Sequence, residues 1–87
     1  MYRLAFVPGV EDDLRRLDRP IRQRILCKTQ WLAEHADELP HEPLSRQWAG
    51  MYKLRMGDYR VVYDLDHNQK VVTVHAIGHR REVYKMR

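Results

Sequence analysis

Three cationic side chains, Lys53, Arg55 and Arg60, fall within eight consecutive residues of this sequence. Arginine binds a phosphate through paired hydrogen bonds, and lysine binds it as a point charge. If one rigid surface carries all three side chains, they could therefore bind a phosphate group together. The alternative is an ordinary solvated surface, which is a strong explanation for each cation alone and a weaker one for all three.

Residues 52–63 have the pattern of a two-stranded β-hairpin, which would carry these cations on rigid backbone. Apolar and basic residues alternate over 52–56, a Gly-Asp dipeptide follows, and a β-branched and aromatic run begins after it. Because side chains alternate between the two faces of a strand, Lys53 and Arg55 share one face. Arg60 leads the second strand, which pairs with the first through the turn.

The remaining segments predict an α+β domain in which a two-helix hairpin packs on one face of a sheet, with element order β-α-α-β-β-β. The predicted elements are an N-terminal strand over 2–7, helices over 10–17 and 20–36, a loop over 37–48, and a three-stranded antiparallel meander over 52–56, 59–63 and 70–77. Residues 60–63 and 71–74 are apolar at successive positions, as in central strands. Alternation therefore leaves open which side of the sheet faces the helices.

The length and charge of the chain indicate one domain with an anionic partner. A chain of 87 residues can bury one modest core, so we expect a single domain over 1–87. The net charge is +4, and residues 45–87 contain nine Lys or Arg against four Asp or Glu. Such an asymmetry suggests nucleic acid most often, although many small basic domains bind none.

Several classes of protein are disfavoured by what the sequence lacks. A single cysteine, Cys27, cannot form an intramolecular disulfide and favours a reducing, cytoplasmic setting, with the thiol buried and inert. The N-terminus does not have the apolar core of a signal peptide, and no apolar run is long enough to span a membrane. His, Cys and acidic residues show no metal-site spacing, so we expect neither a metal nor a cofactor.

Two motifs resemble one known group of proteins. Gly57-Asp58-Tyr59-Arg60-Val61-Val62-Tyr63, followed by Ile77-Gly78-His79-Arg80-Arg81-Glu82-Val83-Tyr84, resembles the RelE/ParE superfamily, the toxins of toxin–antitoxin pairs. The layout of elements is similar over the whole chain. RelE-branch members are mRNA endonucleases that act in the ribosomal A site, whereas ParE-branch members inhibit DNA gyrase. The resemblance thus implies a RelB-like antitoxin, the ribosome and mRNA as partners, and a cytoplasmic location.

The resemblance also implies functional residues, and it favours the RelE branch because ParE-branch toxins usually lack the full set of five matched positions, which are Lys53, Arg55, Arg60, Arg80 and Tyr84. The implied catalytic residues are Arg60, Arg80, Tyr84 and, secondarily, His79, and the implied RNA-binding residues are Lys53, Arg55 and Arg81. Arg55 stands where the RelE branch often has lysine, which is a conservative departure.

Tyr84 is the implied general base for attack by a ribose 2′-hydroxyl, in a cleavage that needs no metal. A tyrosine can do this only where nearby cations favour its phenolate, and Arg80 and Arg81 are close enough in sequence to contribute. Two alternatives remain open. Tyr84 closes the edge of the core with its hydroxyl in water, or His79 acts as acid or base, as histidine does in some relatives of this fold.

Other aromatic and histidine residues are expected to be structural. We expect Trp31 and Trp48 to lie in the core in preference to stacking on bases. His75 is expected to be a packed side chain within a strand. The sequence contexts of the other histidines, a helix end, a loop and a turn, predict surface positions for His35, His41 and His67.

Overall fold

Five strands and two α-helices form the fold of residues 1–85, the part of the chain that this computed structural model describes. In chain order they are β1 (Arg3–Phe6), α1 (Val10–Arg15), α2 (Arg19–Glu34), β2 (Glu42–Pro43), β3 (Tyr52–Met56), β4 (Tyr59–Asp66) and β5 (Val71–His79), with 3-10 turns at Arg46–Trp48 and Val83–Lys85. Neither helix in this part of the chain is long and apolar enough to cross a membrane.

The strands form one sheet in the order β1-β5-β4-β3-β2. Strands β3, β4 and β5 are consecutive antiparallel neighbours, which confirms the predicted meander and the α+β class. Strand β1 pairs with β5 in parallel, from Arg3 opposite Val71 to Phe6 opposite Val74. A parallel neighbour needs a crossover, and the two helices are part of it.

The predicted loop over 37–48 was wrong in part. Glu42 and Pro43 form the short edge strand β2, with Glu42 opposite Lys53 and Pro43 opposite Tyr52. A two-residue strand is too short to produce an alternating pattern, so its pairing depends on β3 and not on local sequence. The predicted turn at 57–58 is confirmed, and Gly57 has φ +57°, which glycine adopts without steric cost.

The main core lies between the helices and one face of the sheet. On α2, Ile25, Thr29 and Leu32 are at most 1% exposed, which confirms the predicted apolar stripe. Ile25 packs in a cluster that includes Val61 of β4, and Leu32 packs in one that includes Tyr63. This side is called the helix face below.

A second, smaller core covers the opposite side of the sheet, called the outer face below. Its buried members are Trp48, Val62, Ala76 and Val83, with Leu44, Met51 and Tyr84 packed against them. Because Val62 alternates with Val61 and Tyr63, this cluster lies away from the helices. Strand β4 is therefore covered on both faces, as its successive apolar residues predicted, and Trp48 is buried as predicted.

Three predictions about burial were wrong. Trp31 is 37% exposed, with Lys28 Nζ 4.1 Å from its ring centroid, and the Cys27 thiol is also exposed. Each helical residue advances by about 100°, so Cys27 lies about 200° around α2 from Ile25 and faces solvent. His41 is half-buried, with Nδ1 2.6 Å from the Tyr63 hydroxyl and Nε2 2.8 Å from the Ala36 carbonyl oxygen.

Candidate functional site

The register of β3 and β4 brings together the three cations predicted to hold phosphate. Arg55 is directly opposite Arg60, and Lys53 is directly opposite Val62. Residues opposite each other in antiparallel strands point to the same face, and Val62 belongs to the outer cluster. Lys53, Arg55 and Arg60 therefore lie on the outer face, next to the cluster that contains Tyr84.

The Arg60 guanidinium is held close to the hairpin turn. Its Nη1 donates to the carbonyl oxygens of Gly57 and Tyr59, at 2.8 Å each. These carbonyls are part of the turn backbone, so they orient the guanidinium without neutralising its charge. A cation held in this way can meet an anion with little loss of conformational freedom.

Glu42 is the residue of this site that the sequence analysis missed. Its Oε2 accepts from Lys53 Nζ at 2.8 Å and from Arg55 Nη2 at 3.1 Å. The hydrogen bond from Lys53, aided by Arg55, holds the pKa of the Glu42 carboxyl below its usual range, so the group is ionised at neutral pH. No local pattern indicated this pairing, since only strand β2 brings Glu42 to β3.

Tyr84 closes the outer cluster from the C-terminal 3-10 turn. Its ring meets the Trp48 ring edge to face, with centroids 6.4 Å apart. The Tyr84 hydroxyl is buried and has no hydrogen-bond partner among residues 1–85, and the same holds for Trp48 Nε1. The alternative left open for Tyr84 agrees with the packed ring but not with the buried hydroxyl, and a buried polar atom without a partner is uncommon in folded proteins.

Arg80 lies at the end of the sheet that carries Arg60. Its backbone N–H donates to the Asp58 carbonyl oxygen at 2.8 Å, and its Nε is 3.7 Å from Asp58 Oδ1. The end of β5 is thus joined to the turn between β3 and β4. Arg81 is exposed, and its backbone N–H donates to His79 Nδ1 at 3.2 Å.

His79 lies on the other side of the sheet from the three cations. It is opposite Tyr59, whose ring belongs to the helix-face core and meets the His79 ring edge to face at 5.6 Å. His79 also borders a cavity of about 330 Å³ that is lined by Asp13 and Arg16. The structure therefore separates His79 from the phosphate-binding candidates.

The arrangement can bind a phosphate and stabilise negative charge on it. Four cations, Lys53, Arg55, Arg60 and Arg80, lie along one end and one face of the sheet. Within residues 1–85, no group of three His, Cys, Asp or Glu side chains could hold a metal ion. Among the described residues, the candidate proton acceptors near the cations are the carboxylates of Glu42 and Asp58 and, after release from its cluster, the Tyr84 hydroxyl.

Comparison with known proteins gives concordant matches. The family described as ParE toxin of type II toxin–antitoxin system, parDE, matches residues 4–84. Toxin RelG of Mycobacterium tuberculosis is 34% identical over 44 residues, so the match spans about half of each chain. The fold is similar to the RelBE2 toxin–antitoxin complex of Mycobacterium tuberculosis, with TM-score 0.80, 26% identity and coverage of 91% of this chain and 98% of that one. Isolated E. coli RelE toxin has a similar fold, with TM-score 0.74, 22% identity and coverage of 91% and 84%.

Proposed function

This chain belongs to the ParE toxin family of type II toxin–antitoxin systems, within the RelE/ParE superfamily, and we propose that it inhibits translation by cleaving mRNA in the ribosomal A site. As a toxin of this type it would act in the cytoplasm, where ribosomes are available.

The observation that carries the proposal is the direct pairing of Arg55 with Arg60 on the outer face. Like charges directly opposite each other destabilise a sheet, whereas hydrophobic or oppositely charged pairs would stabilise it. Glu42 offsets the charge of Arg55 in the free protein, and an anion with several oxygens, such as an RNA phosphate, can accept hydrogen bonds from both guanidinium groups. A rigid cationic face of this kind suits a site that stabilises a charged transition state.

Each side chain has a distinct proposed role in the cleavage. Lys53 and Arg55 hold the RNA backbone, while Arg60 and Arg80 stabilise the charge that develops on the phosphorus-bound oxygens. Tyr84, as phenolate, takes the proton of the 2′-hydroxyl. The 2′-oxygen then bonds to phosphorus and the bond to the 5′-oxygen breaks. The 5′-oxygen takes a proton from solvent water and Tyr84 releases its proton to solvent, which leaves a 2′,3′-cyclic phosphate and a 5′-hydroxyl.

This chemistry requires a local movement of Tyr84, whose hydroxyl is buried in the outer cluster. Tyr84 belongs to the three-residue turn Val83–Lys85, which is tied to its surroundings by packing in the outer cluster and by a hydrogen bond. One tie is a long hydrogen bond, 3.5 Å, from Gln47 Nε2 to the Tyr84 carbonyl oxygen. Since the hydroxyl forms no hydrogen bond among residues 1–85, none is lost when it turns toward RNA.

The proposed partner that neutralises the toxin is a RelB-like antitoxin. The fold match to a RelBE2 toxin–antitoxin complex supports such a partner. Because residues 45–87 are strongly basic, we expect an acidic segment of the antitoxin to cover the outer face and the affinity to fall with added salt. An affinity that is the same at low and high salt would instead indicate that apolar burial holds the pair.

The test of the proposed function is primer extension on purified ribosomes programmed with mRNA. We expect cuts at the A-site codon with the wild-type protein and none in naked mRNA at the same protein concentration. Intact mRNA under conditions where E. coli RelE cuts would contradict the proposal. An Arg60→Ala, Arg80→Ala double variant is the control for contaminating nucleases, since it removes both proposed charge-stabilising groups.

The second candidate is inhibition of DNA gyrase, which the description of the matching family favours because it names ParE. In that case the outer face would be a docking surface and no bond would be cleaved. A supercoiling assay with purified gyrase separates the two functions. Loss of supercoiling together with intact ribosome-bound mRNA would replace the first proposal by this one.

A further inference from the structure

We propose that Glu42 is an internal substitute for an RNA phosphate: its carboxylate occupies the anion site formed by Lys53 and Arg55, and a phosphodiester displaces it when RNA binds. The inference rests on the proposed function, because it names the group that the substrate must replace. It makes Glu42 a residue that sets RNA affinity by acting through two other side chains.

The geometry of the three side chains is that of a bound anion. One oxygen of Glu42, Oε2, accepts from both Lys53 Nζ and Arg55 Nη2, at 2.8 and 3.1 Å. A phosphodiester oxygen accepts hydrogen bonds of the same length from the same two donors. The carboxylate and a phosphate therefore compete for the same two donor groups.

Electrostatics favour exchange over simultaneous binding. The low pKa of Glu42 means that the carboxylate carries its charge at neutral pH, so an arriving phosphate meets a like charge as well as two cations. If Glu42 stays, its negative charge offsets one of the two cations, so the net charge that Lys53, Arg55 and Glu42 offer to RNA is that of one cation. If Glu42 leaves, it is that of two cations.

The location of Glu42 makes such an exchange structurally easy. The side chains of Glu42 and Arg55 are 46% and 60% exposed, so both ends of the ion pair are reached by solvent. Exposed ion pairs are weak, which allows a polyanion to compete with them. Strand β2 has only two residues and lies at the edge of the sheet, so releasing the Glu42 side chain leaves the ladder between β3 and β4 intact.

The test measures binding of a fluorescein-labelled oligouridylate by anisotropy to the wild-type protein, Glu42→Gln and Glu38→Gln. Glutamine keeps the shape of Glu42 and removes its charge. Glu38 is the matched control, because it is exposed, lies in the same segment and forms no ion pair among residues 1–85. At low salt we expect Glu42→Gln to bind about fivefold tighter than wild type, as for one unit charge about 4 Å from the phosphate.

The salt dependence and a second background make the test specific. In a plot of log affinity against log salt, the slope for Glu42→Gln should be steeper by about 0.7, because one more net cation then faces the single strand. In a Lys53→Met, Arg55→Met background the gain from Glu42→Gln should fall to that of Glu38→Gln. A merely structural role for Glu42 would change neither quantity.

The outcomes separate this inference from the proposed function. Equal RNA affinity of Glu42→Gln and Glu38→Gln overturns the inference, even if the wild-type protein cuts mRNA on ribosomes. Absence of binding by all three proteins also overturns it, since the site then takes no phosphodiester. Tighter binding by Glu42→Gln without any cleavage on ribosomes supports the inference and contradicts the proposed endonuclease.

Discussion

Tyr63 and Tyr84 pack on opposite faces of the same sheet and differ in how their hydroxyl groups are satisfied. The Tyr63 hydroxyl lies 2.6 Å from His41 Nδ1, and His41 Nε2 is 2.8 Å from the Ala36 carbonyl oxygen. In the neutral imidazole, Nε2–H donates to that carbonyl and Nδ1 accepts from Tyr63, so the Tyr63 hydroxyl and both ring nitrogens of His41 are paired. Burial raises the pKa of Tyr63 well above its ordinary value, so it stays a neutral donor.

Tyr84 is only half-buried, whereas Tyr63 is 2% exposed, and the Tyr84 hydroxyl does not have such partners. Its hydroxyl forms no hydrogen bond within residues 1–85, although the cations of the outer face lie on the same side of the sheet. Unpaired buried polar atoms usually cost stability, so they persist where function or an absent ligand requires them. The comparison teaches that the two tyrosines differ both in burial and in hydrogen bonding, and that the Tyr84 hydroxyl is the one that an incoming ligand can pair.

The largest expected effect comes from removing the Tyr84 hydroxyl, and removal of the Tyr63 hydroxyl is the matched comparison. Tyr84→Phe should lower ribosome-dependent cleavage by roughly 10²–10⁴, the range for a lost general base, with ribosome binding and thermal stability not lowered. Tyr63→Phe should leave the chemical step nearly unchanged and lower the free energy of unfolding by about 1 kcal/mol, because His41 loses its donor. Single-turnover cleavage and thermal melts measure the two effects. Cleavage by Tyr84→Phe within a few-fold of wild type would remove Tyr84 from the chemistry.

The next effect tests whether the cations of the outer face, and not basic charge in general, drive cleavage. Arg60→Ala should lower the rate by roughly 10²–10³, as for loss of one transition-state donor, and should weaken RNA binding as well. Arg24→Ala is the matched control, since Arg24 is exposed on α2. Equal losses in the two variants would show that only the overall charge matters.

A smaller effect is expected from His79, which lies on the helix face. His79→Asn keeps an acceptor for the Arg81 backbone N–H and removes the titrating ring. We expect the cleavage rate and its pH profile to stay within a few-fold of wild type. A rate that falls as far as in Tyr84→Phe, with loss of one limb of the pH profile, would assign the acid or base role to His79. The chemistry would then not be confined to the outer face.

The smallest effect concerns the pH dependence of stability on the outer face. Because the folded-state pKa of Glu42 is below its unfolded value, near 4.3, the ionised group stabilises the fold above that value. This contribution is lost as the pH falls through the lower, folded-state pKa. Wild type should therefore melt above Glu42→Gln at pH 7, and the difference should vanish in acid. A difference that is constant with pH would mean that shape and not charge distinguishes the two side chains.

Much of the fold followed from local patterns in the sequence. Alternation over Tyr52–Met56 predicted β3 with its observed bounds, and Gly57 predicted the turn that sets the pairing of Arg55 with Arg60. Helical spacing predicted the buried stripe of α2, from Ile25 to Leu32. These features are determined by sequence because strand and helix periods specify which residues share a face. The RelE/ParE resemblance also rested on short continuous motifs and is confirmed at the level of the superfamily.

Only the tertiary structure decided which face each residue meets and which partners it has. Strand β4 is apolar on both sides, so its pattern could not show that Tyr63 would face the helices while Val62 would lie under Trp48. The pairing of Glu42 with Lys53 and the burial of the Tyr84 hydroxyl likewise depend on segments far apart in the chain. Periodicity specifies relative orientation within one element, whereas burial and ion pairing arise between elements, where the energy depends on a contact that no local segment contains.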